Sequence, residues 1–105
     1  MKDYKIEVYL PLDALDSIIC AIKNLNIGVI GEYKNCMSWY KVKSSWEASE
    51  RTNPYLGNKG ERYEADEYKL EFRCKENKLK EIIQCIKDIH PYEEVCINII
   101  ELINI

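Results

Sequence analysis

The chain repeats itself, and the repeat limits what it can fold into. Tyr4-Lys5-Ile6-Glu7-Val8 returns as Tyr68-Lys69-Leu70-Glu71-Phe72, a displacement of 64 residues. At the same displacement Leu15, Ile18, Ile19, Ile22 and Lys23 fall on Leu79, Ile82, Ile83, Ile86 and Lys87. In the first copy, residues 5–10 alternate with Ile6, Val8 and Leu10 on one side, which predicts a half-buried strand. Pro11 stops that ladder. Leu12, Leu15, Ile18, Ile19, Ile22 and Leu25 then recur three and four apart, one apolar stripe along a helix. Asn26-Ile27-Gly28 is expected to end it, with Gly28 in the left-handed conformation. Strand then helix, twice, each followed by one further strand, gives β-α-β-β-α-β. That is an α+β ferredoxin-like sandwich, an antiparallel sheet with two helices on one face.

The remaining elements fit this frame. Residues 36–46, with Trp39, Tyr40, Val42 and Trp46, predict the second strand. Residues 63–74 predict the third and 94–100 the fourth, followed by a tail with Leu102, Ile103 and Ile105. Between the second and third, residues 47–62 hold Asn53-Pro54, Gly57 and Gly60 and form a long loop. A connection of this length in a small domain is usually functional or held by a partner chain. Gly28-x-x-Gly31 and Gly57-x-x-Gly60 match no phosphate-cradling pattern and read as turns.

A length of 105 residues makes residues 1–105 a single domain with one core. Its 15 basic and 18 acidic residues are interleaved and leave a net charge of −3. This speaks against nucleic acid as a partner, which needs a clustered basic surface. There is no apolar run near the length of a membrane span, and no secretory leader is expected. Cys20, Cys36, Cys74, Cys85 and Cys96 form no Cys-x-x-Cys pair, so neither a zinc knuckle nor a redox motif is indicated. They read as small buried hydrophobes of a protein in the reducing cytoplasm.

Two helices cover only one face of the sheet. Tyr9, Trp39, Trp46, Tyr68 and the Ile-rich tail supply more apolar surface than one core readily absorbs. A homo-oligomer that covers the open face or extends the sheet edges is the expectation.

Chemistry, if the chain has any, concentrates in His90-Pro91-Tyr92-Glu93-Glu94, which holds the only histidine. Pro91 disfavours helical geometry in the residue before it, so His90 sits extended at the helix end. There it can cap the helix as a cation, bind a metal, or act as an acid or base, since imidazole titrates near ~6.5. Glu93 and Glu94 read as solvated carboxylates or inter-subunit salt-bridge partners. Cys36 and Trp39, where the second strand begins, read first as packing or subunit contacts. A catalytic thiol at Cys36 would need His90 as its base.

Tyr4–Leu10, Gly28-Val29-Ile30-Gly31-Glu32-Tyr33-Lys34-Asn35-Cys36, Ser38-Trp39, Asn53-Pro54-Tyr55-Leu56-Gly57, Gly60, Glu67-Tyr68-Lys69-Leu70-Glu71 and His90-Pro91-Tyr92-Glu93-Glu94 together resemble one domain. It is the small domain inserted in many NIF-three-like (NGG-one-interacting factor three) proteins, which also occurs free-standing. The resemblance spans residues 4–100. That domain is similar to CutA and the nitrogen-regulatory P-II proteins, ferredoxin-like subunits assembled as trimers. The chain departs from the pattern at Tyr40–Ala48, where relatives are Gly-rich, and at Val95-Cys96, where they often have Pro-Ala. The metal centre of the larger proteins belongs to their flanking domains, so the resemblance brings no hydrolase activity to these residues.

The resemblance implies a non-catalytic, CutA-like homotrimer that binds a small ligand or a protein partner. In this reading Cys36, Trp39, His90, Tyr92 and Glu93 form an inter-subunit cleft. One alternative is a divalent copper- or zinc-binding protein using His90 with a nearby cysteine and Glu93. Another is a small enzyme with His90 as base. No cofactor other than such a metal is indicated.

Overall fold

A computed structural model describes residues 1–103 and places them in the predicted architecture. Strand β1 (Asp3–Pro11) leads through a 3₁₀ turn at Leu12–Ala14 into helix α1 (Leu15–Ile22). Strands β2 (Met37–Glu47) and β3 (Arg62–Lys75) form a long hairpin. A second 3₁₀ turn at Glu76–Lys78 opens helix α2 (Leu79–Ile89), and β4 (Ile97–Leu102) closes the fold. The turns at Leu12 and Glu76 and the helix starts at Leu15 and Leu79 keep the 64-residue displacement. The four strands form one antiparallel sheet in the order β2-β3-β1-β4, so the repeated strands β1 and β3 lie side by side at its centre.

Alternation decides which residues make the core. Ile6, Val8 and Leu10 on β1 stand beside Leu70 and Phe72 on β3, all turned toward the helices. Ile18 and Ile22 from α1 and Ile82 and Ile86 from α2 cover them, each fully buried. Burying a side chain of this size contributes roughly 1.5–3 kcal/mol. Helix geometry also corrects the expectation for the cysteines. Cys20 lies about 200° around α1 from both Ile18 and Ile22, and it is exposed, as is Cys96. Only Cys74 is buried, and burial pushes its thiol up to about 11.

Two boundaries differ from the sequence reading. Helix α1 ends at Ile22, short of Leu25, and the left-handed residue that follows is Asn26, at φ 62°. The chain leaves the helix early and brings Ile27 into the core, where it is fully buried. Gly28, at φ 58°, donates its N–H to the Arg73 carbonyl at 2.7 Å, and its own carbonyl accepts from Cys36 N–H at 3.0 Å. It therefore serves the approach of two backbones, and a Cβ here would collide with the Cys36 carbonyl. Strand β4 begins at Ile97, three residues after the expected Glu94, because the intervening residues belong to the turn described below.

The face away from the helices is only in part the apolar surface expected of it: Tyr9 and Trp46 lie there, but its centre is charged. Residues opposite each other in a ladder share a face, so Trp39, opposite Leu70, and Tyr68, opposite Leu10, lie on the helix side. At the centre of the other face Lys5 Nζ lies 3.2 Å from Glu7 and 3.0 Å from Glu71. Lys69 Nζ bridges the same two carboxylates at 3.5 and 3.7 Å. A hydrogen bond from Asn98, reinforced by Lys5 and Lys69, holds the Glu7 carboxyl below its ordinary pKa. The tail residue Ile105 lies outside the described residues.

Candidate functional site

His90 is positioned from both sides. Helix α2 delivers it with its N–H bonded to the Ile86 carbonyl, and Pro91 leaves it extended at φ −70° and ψ 133°. Its ring is buried, at 6% exposure, beneath the end of β1. Nε2 lies 2.7 Å from the Tyr9 carbonyl oxygen, which can only accept, so Nε2 carries the proton. Nδ1 accepts the Tyr92 backbone N–H at 3.1 Å and therefore carries none. These two partners fix a neutral imidazole in the Nε2–H tautomer. Burial lowers its pKa, against smaller opposing effects from the Tyr9 carbonyl and Glu67. The cationic helix cap anticipated from sequence is replaced by a neutral ring tying the turn to β1.

Tyr92 continues from that anchor. Its ring packs against His90 at 4.7 Å between centroids. Its hydroxyl donates to Glu67 Oε2 at 2.6 Å. Glu67 is a β3 carboxylate only 3% exposed. Burial, and then the Glu67 carboxylate, hold the Tyr92 phenol far above its usual pKa. Trp46 and Tyr55 pack on Tyr92 at 5.9 and 6.0 Å, and Tyr63 packs on Trp46 at 5.5 Å. The strand pattern explains Trp46. Opposite Tyr63, two turns of the pleat beyond Val42 and Glu67, it points to the helix-free face.

The loop 48–61 folds over this row. Its Asn53 N–H donates to Glu93 Oε2 at 2.8 Å and pins loop to turn. At Gly57, φ 83°, a Cβ would sit 2.8 Å from the Tyr63 ring, so glycine lets the loop close on the aromatics. The result is a cavity of about 570 Å³ at one end of the open sheet face. Its walls include Tyr9, Trp46, Tyr55, Glu67, Tyr92 and Glu93.

Of the residues singled out in the sequence, Tyr92 and Glu93 line this cavity, and His90 stands directly behind Tyr92. Cys36 and Trp39 do not join them within one chain. Trp39 is seven residues from Trp46 along β2, about 23 Å at a strand's rise, and is 48% exposed. Cys36 lines a separate depression with Lys5, Ile30 and Met37. Trp46, Tyr55 and Glu67 are site residues that sequence reasoning did not mark. A signal existed for Trp46 and Glu67, since strand alternation puts both on the face the helices leave open. Among the described residues no group of three or more His, Cys, Asp or Glu is placed to hold a metal ion. A metal at His90 would have to displace the Tyr9 carbonyl or the Tyr92 N–H. No helix among the described residues is long and apolar enough to cross a membrane.

Comparison with known proteins agrees with the fold. The family model described as CutA1 divalent ion tolerance protein matches residues 35–105. A Listeria monocytogenes protein named GTP cyclohydrolase 1 type 2 homolog is 32% identical over 99 residues, 93% of this chain and 26% of that protein. The chain spans about a quarter of the length of the curated relatives it matches. A Bacillus cereus protein related to NIF3 superposes with a TM-score of 0.85 at 21% identity, over 98% of this chain and 26% of that one. The Archaeoglobus fulgidus periplasmic divalent cation tolerance protein CutA gives 0.72 at 17% identity, over 97% of this chain and 85% of that one. At these identities the two solved structures speak for the fold alone.

Proposed function

The chain belongs to the CutA1 divalent ion tolerance family, and from that premise we propose that it is a non-catalytic, homotrimeric binding or regulatory module of the CutA and P-II type. The observation that carries this reading is the cavity at Tyr92. It is built from a turn, a long loop and the open sheet face, and its one neighbouring imidazole is hydrogen-bonded at both nitrogens. Such a site is equipped to hold a molecule rather than to move a proton.

Several features support association. Strands β2 and β4 are both sheet edges, and unpaired edges invite pairing with another chain. Ile99 and Ile100 on β4 and Ile103 beyond it are exposed. Residues 43–47 and 62–66 pair only with each other beyond the point where β1 ends, leaving the hairpin as a projecting arm. In the trimer, Cys36 and Trp39 reach a cleft contributed by a neighbouring copy. Five free thiols fit a reducing compartment, and we place the protein in the cytoplasm. Analytical ultracentrifugation at micromolar concentration should give three times the 12.4 kDa chain mass. A sedimenting monomer overturns the assembly.

The family description favours a second reading, divalent metal binding. Competition titration with copper and zinc separates the two. The module reading expects the same metal affinity in wild type and His90→Ala, and loss of tight binding in the variant would install the metal reading. The enzyme-like name of the longer relatives motivates a hydrolase screen with the same variant as control, in which no His90-dependent turnover is expected.

A further inference from the structure

The helix-free face of the sheet is electrostatically divided. At its centre Glu7 and Glu71 are each paired with Lys5 and Lys69. At its end the cavity is lined by four carboxylates, Glu47, Glu67, Glu93 and Glu94, and by no lysine, arginine or histidine. None of the four forms an ion pair among the described residues, although Tyr92 donates to Glu67 and Asn53 donates to Glu93. Glu67 is nearly fully buried. A buried carboxylate without a cation is costly unless something compensates it. Four aromatic rings, Tyr9, Trp46, Tyr55 and Tyr92, share the walls with uncharged side chains such as Ser44, Pro54 and Leu56, and ring faces carry the same sign of potential as the carboxylates. What this cavity lacks is positive charge.

We infer that the cavity at Tyr92 is a binding site for a small alkylated ammonium ion, held over the rings of Trp46, Tyr55 and Tyr92 and balanced by Glu67. Aromatic faces attract such cations without needing hydrogen bonds from them. An anionic ligand would meet four carboxylates and no basic side chain. A bare metal ion would find no convergent set of three ligating groups among the described residues, in a space of about 570 Å³ that suits an organic molecule. The inference rests on the reading of this cleft as the ligand site and adds the chemistry of its occupant.

The test uses the Trp39→Phe chain, in which Trp46 is the sole indole. Choline chloride is titrated while Trp46 fluorescence is followed, against sodium chloride at matched ionic strength and 3,3-dimethylbutan-1-ol, the uncharged isostere. Saturable quenching by choline, at least tenfold tighter than by the alcohol, is expected. Glu67→Gln, which keeps an acceptor for Tyr92, should weaken choline binding tenfold or more and leave the alcohol unchanged. If Glu67→Gln does not fold, Glu47→Gln with Glu94→Gln, both exposed, should weaken choline binding threefold or more. Equal affinity for choline and the alcohol, or an unchanged choline affinity in the carboxylate variants, overturns the cation assignment and leaves the cleft as a binding site. If neither probe saturates Trp46, the cleft reading falls with it.

Discussion

At the scale of single residues, His90 and Tyr92 connect the two halves of the chain. One imidazole links the Tyr9 carbonyl of β1 to the backbone of the final turn, and one phenol links that turn to a buried β3 carboxylate. Because burial lowers the His90 pKa, the unfolded chain binds the proton more readily than the folded one. The stability this contributes is fully present above the unfolded value near ~6.5 and is lost as pH falls from there toward the folded pKa. Denaturant melts at pH 7.5 and pH 5.5 should show a less stable protein at the lower pH, and His90→Gln should flatten that difference. Tyr92→Phe removes the hydroxyl donor to Glu67 and should cost roughly 1–3 kcal/mol, read from urea midpoints at pH 7. Neither contact was legible in the sequence, because Tyr9, Glu67 and Tyr92 are brought together only by the order in which the strands pair.

At the scale of elements, the sequence conveyed what periodicity governs. Ile6, Val8 and Leu10 alternate and are buried together, and the helical stripe through Ile18, Ile22, Ile82 and Ile86 meets them. Element ends were less legible. Whether α1 stops at Ile22 or runs to Leu25 depends on where Ile27 is buried, a tertiary matter. The start of β4 depends on a side-chain bond from His90 and on the loop contact at Glu93. The glycines of the β1–β2 connection give a sharper test. Gly28 and Gly31 share nearly the same backbone, at φ 58° and 57°, but only Gly28 would place a Cβ against another backbone, while Gly31 faces open space. Gly31→Ala should cost about 1 kcal/mol for the left-handed conformation alone. Gly28→Ala should cost clearly more, and paired urea melts would show the difference. Equal losses would mean that the close approach to Cys36 is easily relaxed.

At the scale of the whole molecule, the projecting hairpin stretches the chain to extents of 46 × 24 × 22 Å. Its Cα radius of gyration is 14.8 Å, against about 13 Å for a compact chain of this size. Beyond the end of β1 the arm's two strands have no sheet partner but each other, and such unpaired edges are a reason to expect a neighbour. Ile99→Glu with Ile103→Glu puts charges at two exposed apolar residues, one on β4 and one just beyond it, and should shift the sedimenting species from trimer toward monomer without loss of circular dichroism. If the mass does not change, the β4 edge takes no part in assembly. The central claim, that the His90 turn is a fixed architectural element framing a binding cleft, is tested most directly by nitrogen-15 NMR of the single imidazole. A neutral Nε2–H ring at pH 7, with shifts that do not move when zinc is added, is expected. A cationic ring at that pH, or a zinc-dependent shift at either nitrogen, would contradict it.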